Sequence, residues 1–128
     1  MCKNDKRKMY KADDLEWWSE LIETAQRYAG NMTALAENIK DIAHTEYGST
    51  STSITPKNIE RWSTGDRLFP LWARLAMLHY CKDCGWHPNT VDDYQISYTL
   101  WAKGRKHITP QSFASDFNIP VSETLKFT

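Results

Sequence analysis

The stretch Ile54 to Pro70, ITPKNIERWSTGDRLFP, carries its own start and stop signals and constrains this chain more than any other segment. Thr55 is a helix N-cap, and Pro56 sits at the first helical position, where its missing N–H costs nothing. Gly65 is the stop. With Ile59 set as the inward direction and about 100° of turn per residue, Trp62 turns inward beside it, while Lys57 and Arg61 point the opposite way. The helix therefore has an anchoring face of Ile59 and Trp62 and an outer face of Lys57, Arg61, Asn58 and Glu60. Such a face suits the DNA major groove, where Arg and Lys read guanine edges and Asn reads adenine. The plainer reading is a solvated face on which Lys57 and Arg61 pair with Glu60 or Asp66.

A chain of 128 residues is one domain, or one domain with an appendage. A 41% hydrophobic content allows a sizeable core, and six Trp point to one anchored by indoles. The net charge of zero argues against a globally basic nucleic-acid binder. Charge is nevertheless segregated. The start MCKNDKRKMYK holds Lys3, Lys6, Arg7, Lys8 and Lys11 against Asp5, and Asp13, Asp14, Glu16, Glu20 and Glu23 follow. No run of about 18 apolar residues exists, so no membrane span is expected. The basic start lacks the apolar stretch of a secretory signal. Three Cys in a chain of this kind argue for reduced thiols and a cytoplasmic location.

Helical spacing dominates the rest. Asp13 followed by Glu16 is a capping-box-like start, after which Leu15, Trp18, Leu21, Ile22, Ala25 and Tyr28 recur until Gly30. Asn31 caps a second helix with Leu35, Ala36, Ile39, Ile42 and Ala43 inward, running to about Tyr47. The Ser49–Ser53 run is a flexible loop into the Thr55 helix. A fourth helix starts near Pro70 and buries Leu71, Trp72, Leu75, Ala76 and Leu78. A fifth spans Thr90 to Lys103, with Val91, Tyr94, Tyr98 and Trp101 on related faces. Ile108-Thr109-Pro110-Gln111 then echoes Ile54-Thr55-Pro56-Lys57, with Phe113, Ala114 and Phe117 at helical spacing. No strand-like alternation of useful length occurs. The expected fold is all-α: a compact bundle of about five helices containing a helix-turn-helix, plus a short helical C-terminal segment. Its parts are a basic flexible arm (1–11), a domain (12–104) and the C-terminal segment (105–128), which packs on the domain, forms a dimer contact or begins a further domain.

Leu35-Ala36, Thr55-Pro56-Lys57-Asn58-Ile59, Trp62, Gly65 and Pro70 together resemble the lambda-repressor-like helix-turn-helix family, to which phage repressors and Cro proteins belong. In helix order the resemblance covers residues 13–100. The connection before the recognition helix is enlarged, about a dozen residues beyond the family's turn of about three or four. Helix 4 would then support the recognition helix in place of the tight turn. The resemblance implies that Thr55, Lys57 and Arg61 face bases with Asn58 beside them, and that Ile59, Trp62 and Gly65 anchor the helix. It further implies that the Met32 backbone N–H, at a helix N-terminus, meets a phosphate, as does Arg67 in the following loop. Asp66 and Leu68 stand where that loop is often basic. Lys6, Arg7 and Lys8 of the arm, with Lys103, Arg105 and Lys106, are the substitutes for phosphate contact. For the arm, a solvated tail is the equal alternative.

His79, Cys81, Cys84 and His87 form H-x-C-x-x-C-x-x-H, which offers zinc ligands, Cys81, Cys84 and His87 foremost. His79 and Cys81 cannot share a helix face, and the plainer reading is a helix C-terminus with small buried thiols and Gly85 as its stop. No metal or other cofactor is expected. The tail around Phe113-Ala114 and Asn118-Ile119-Pro120 resembles the first half of a second helix-turn-helix, too short to complete one. No phosphate loop, HExxH or nucleophile elbow is present, and Asp13-Asp14 and Asp92-Asp93 sit at helix starts, so no enzyme is expected.

The sequence thus points to a sequence-specific double-stranded DNA binder, a transcriptional regulator of a phage or mobile element. The alternatives are the DNA-binding domain of a small replication initiator and a non-DNA interaction module of anti-defence or adaptor type. A homodimer would read a pseudo-palindrome with half-sites about one helical turn apart.

Overall fold

A computed structural model describes residues 12–49 and 54–120, which form six helices and, among them, no strand. They are α1 (Ala12–Ala29), α2 (Met32–Tyr47), α3 (Pro56–Thr64), α4 (Leu71–Asp83), α5 (Val91–Lys103) and α6 (Pro110–Asp116). The arm 1–11 with Lys6, Arg7 and Lys8, the run 50–53 and the tail 121–128 lie outside the described residues. The all-α class is the fold, with the helix of the C-terminal segment as its sixth element.

Local chemistry explains most of the boundaries. Asn31 accepts the Ala34 N–H at 2.8 Å and opens α2, and Thr55 accepts the Asn58 N–H at 3.2 Å and opens α3. Thr109 opens α6 through a reciprocal box: its Oγ1 accepts the Ser112 N–H, and Ser112 Oγ accepts the Thr109 N–H. Gly65 ends α3 at φ 79°, a left-handed conformation that disfavours a side chain. A Cβ there would also stand 3.0 Å from Leu15 Cδ2. α1 begins at Ala12, one residue ahead of the expected cap Asp13.

α4 is the central helix. Ala73, Leu75, Ala76, Met77, Leu78, Tyr80 and Cys81 are all buried, so it is enclosed on nearly every side rather than along one stripe. α2 packs along it most extensively, and α1 and α5 complete its surroundings. This corrects the expected burial of Leu71, and two residues read only as part of helical periodicity, Val91 and Tyr28, are exposed as well. Leu71 is 40% exposed, Val91 49% and Tyr28 42%. Leu71 and Val91 are the first residues of their helices, and Tyr28 lies in the last turn of α1.

The segment after α5 belongs to the same core. Phe113 and Phe117 are buried, their ring centroids 4.5 Å apart. Phe117 meets Trp101 of α5 edge-on at 4.9 Å, and Phe113 meets Tyr94 and Tyr98. Trp101 Nε1 donates to Asp116 at 2.9 Å, tying α5 to the end of α6. Large buried rings of this kind carry much of a small core's stability. Phe113→Ala is expected to cost about 3–5 kcal/mol and to lower the urea midpoint of the whole chain. Partial loss of helicity at that midpoint, with the remainder melting as in the parent protein, would contradict it.

Candidate nucleic-acid interface

The position of α3 follows from its apolar side. Ile59 is fully buried and Trp62 nearly so, while Thr55, Lys57 and Glu60 are exposed. Trp62 stacks on Phe69 with centroids 4.8 Å apart and planes 7° apart, and Trp18 of α1 closes on Phe69 edge-to-face at 5.1 Å. α3 is therefore carried chiefly by α1, with α2 beside it. That corrects the expectation that helix 4 supports it. Phe69 is the residue that sequence reasoning missed; its signal was an aromatic next to Pro70, inside a segment otherwise read as loop.

The outward face of α3 lies between two open grooves. Lys57, Glu60, Arg61 and Asp66 line one. The other, of about 630 Å³, runs between α3, α1 and the start of α2, and brings Lys57 and Glu60 together with Met32, Gln26 and Glu23. The start of α2 thus opens onto the same surface as the outer face of α3. Asn31 satisfies the Ala34 N–H there, and the N–H groups of Met32 and Thr33 precede the first intrahelical bond.

The cations differ in how they are held. Arg61 Nε lies 4.0 Å from Asp66 Oδ2, both side chains well exposed, so the pair is loose and readily exchanged. Arg67 folds back along α3: its Nη1 donates to Asn58 Oδ1 at 3.3 Å, and its backbone N–H bonds to the Arg61 carbonyl at 3.2 Å. Asn58 is half-buried, with its carbonyl oxygen engaged by Arg67. Thr55, Lys57, Asn58, Arg61, Arg67 and Met32 are accordingly gathered on one surface.

Lys103, Arg105 and Lys106 are not gathered there. Lys103 lines a cavity with Asp14 and Arg74. Lys106 is exposed in the loop after α5. Arg105 is turned inward, onto Trp101 and Tyr47. Its guanidinium lies 3.4 Å from the Trp101 ring centre, and Nη1 donates to the Tyr47 hydroxyl at 3.0 Å. Tyr47 ends α2, 15 residues on from Met32, so this contact sits about 22 Å along the helix from the α3 surface.

The His/Cys run does not form a metal-binding group. No set of three or more His, Cys, Asp or Glu side chains among the described residues could hold a metal ion. Cys81 is fully buried, and burial pushes its thiol pKa far up, while Cys84 is exposed. His87 Nδ1 lies 3.2 Å from the Pro88 carbonyl. His79 Nδ1 lies 3.0 Å from the Tyr47 hydroxyl, and Nε2 lies 3.5 Å from Asp83 Oδ2.

Comparison with protein-family models, with curated proteins and with solved structures found no match. The reading of the surface therefore rests on its own geometry.

Burial lowers the His79 pKa below 6.5, an effect that outweighs the opposing charge of Asp83 and is reinforced by Lys82 and Arg105. The folded protein favours the neutral ring, whereas the unfolded chain takes up a proton as the pH falls through about 6.5. Stability from this group is thus complete above that pH. It declines on acidification until the folded-state value is passed. Urea midpoints measured from about pH 7.5 to 5 should fall more steeply for the parent protein than for His79→Gln; parallel slopes would refute the assignment.

Proposed function

We infer that the protein binds double-stranded DNA sequence-specifically, with α3 inserted in the major groove, and acts as a transcriptional regulator. The observation that carries this reading is the union of the outer face of α3 and the N-terminus of α2 on one surface. A helix laid in the groove needs phosphate contacts beside it to set its depth and register, and helix N-terminal N–H groups serve that purpose. Lys57 and Arg61, a turn apart on the outward side, are the base readers, and Arg61 can match guanine O6 and N7 with both arms of its guanidinium once Asp66 lets go. Asn58 has its oxygen engaged by Arg67, so it positions that arginine toward the backbone rather than reading adenine with both amide atoms. Thr55, at the N-cap, flanks the bases.

Electrostatics shapes how such binding would behave. Glu60 and Glu23 sit in the same grooves as Lys57 and would repel phosphate unless the docking angle keeps them off the backbone. With zero net charge, affinity relies on a few local cations, and each phosphate neutralised steepens the log–log salt dependence by about one unit. Operator or origin repeats would both suit this surface, and the genomic position of the site separates a regulator from a replication initiator.

Selection from a random duplex pool at low salt should enrich a defined motif. Arg61→Ala should cost about 1–3 kcal/mol and relax one base position, while Arg67→Ala weakens all sequences alike. A pool that enriches nothing, or an Arg61→Ala variant that binds like the parent, would overturn the reading in favour of a protein-interaction module.

A further inference from the structure

The end of α2, the last turns of α4 and the connection between α5 and α6 meet at His79. Arg105 Nη1 donates to the Tyr47 hydroxyl at 3.0 Å, that hydroxyl lies 3.0 Å from His79 Nδ1, and Arg105 Nη2 lies 3.4 Å from the same nitrogen. A guanidinium has donors only, and the Tyr47 oxygen already accepts from it, so both groups need Nδ1 as a bare acceptor. The ring proton is therefore on Nε2, which faces Asp83 Oδ2 at 3.5 Å. We propose that His79 is a pH-operated latch: the neutral ring holds Arg105 on Trp101, and a second proton on the ring releases Arg105 together with the α5–α6 connection. The latch is independent of whatever the α3 surface binds.

Protonation turns the acceptor into a donor. Arg105 Nη2 then faces another N–H, and the Tyr47 hydroxyl loses the partner of its own proton. The new charge also stands against the guanidinium, where the His79 side chain is only 12% exposed and little water screens the repulsion. Glu46 and Tyr47 face the ring from α2, Lys82 and Asp83 from α4, and Arg105 from the connection. Burial foremost holds the ring pKa below 6.5, with Lys82 and Arg105 adding to it against the pull of Asp83 and Glu46. Asp83 is half-exposed and gives its other oxygen to Lys82 Nζ at 2.9 Å, so it does not cancel the repulsion from Arg105. Of the groups around the ring, Arg105 is carried by a connection and the others by helices, so Arg105 is the one that moves.

The moving segment is short. His107 holds φ 62°, a left-handed conformation uncommon for a residue with a side chain, so the connection gains by relaxing. Arg105 tethers its near end, with the guanidinium 3.4 Å from the Trp101 ring centre and 5.6 Å from that of Tyr47. The Tyr98 hydroxyl tethers its far end by donating to the Ile108 carbonyl at 3.3 Å. Beyond that, Phe113 and Phe117 are buried and keep α6 in place. Opening is thus confined to residues 104–107, and it uncovers the face of Trp101 that Arg105 now covers.

The test follows the full isotope-labelled chain by NMR as the pH is lowered without denaturant. The His79 ring carbons report its protonation. The Arg105 Nε–H, displaced by the ring current of Trp101 while stacked, reports the latch. Both should change with one shared midpoint on the acid side of 6.5. Asp83→Asn, at the half-exposed edge, should move the two midpoints together toward acid by about half a unit. His79→Asn, whose amide oxygen can accept where Nδ1 does, should keep Arg105 stacked down to about pH 5. An Arg105 signal that stays in place while His79 protonates, midpoints that part in Asp83→Asn, or a His79→Asn variant that loses the stack over the same range would each overturn the latch.

Discussion

The stack of Trp62 on Phe69, braced edge-on by Trp18, is the contact on which the arrangement of the α3 surface depends. It joins three parts of the chain that are distant or irregular: α1, the short α3 and the loop before α4. A helix the length of α3 has little stability of its own in water, since nucleation is costly and few backbone bonds repay it. Its caps, Thr55 and Gly65, define where it starts and stops, but they do not say where it sits. Burial of the Trp62 and Phe69 rings does. The result is that Lys57 and Arg61 are presented outward from a fixed platform, with the start of α2 beside them.

A second aromatic group, joined to the first by the Trp17–Trp18 contact at 5.0 Å, does equivalent work for α6. Trp101, Phe113 and Phe117 lock α6 onto α5, and Trp86 carries the contact on to Trp17 of α1. Arg105 is drawn into this group because a guanidinium loses little by stacking on an indole while keeping its hydrogen bonds. Tyr47 and His79 complete those bonds, which is why the C-terminal end of α2 has become a structural junction. The chain thus divides its cations into those it uses to build itself and those it leaves on the surface. Sequence position alone does not distinguish Arg105 from Lys106.

Much of the fold was legible because its signals are local. Thr55-Pro56 and Gly65 bound α3, Thr109-Pro110 opens α6, and the spacing of Leu35, Ala36, Ile39 and Ala43 marks the buried side of α2. Ile59 and Trp62 were readable as anchors from helical geometry. The central role of α4 was not, because periodicity identifies one apolar stripe, and a helix enclosed all round has no stripe to find. Leu71 was misassigned for the converse reason: an apolar residue in a first turn need have nothing packed over it. Phe69 escaped because it lies between helices, where no periodicity applies.

The sequence by itself determined the all-α class, the helix caps and the pairing of an apolar with a charged side on α3, since caps and periodicity depend on neighbours a few residues away. Only the tertiary structure decided which helix carries α3, that Met32 and Lys57 share a groove, and that Arg105 faces inward. Those outcomes depend on contacts between residues far apart in the chain, such as Trp17 with Asp93 and Tyr47 with Arg105, which no local rule encodes. Ring packing and the need to satisfy buried polar groups select among the arrangements that local chemistry permits.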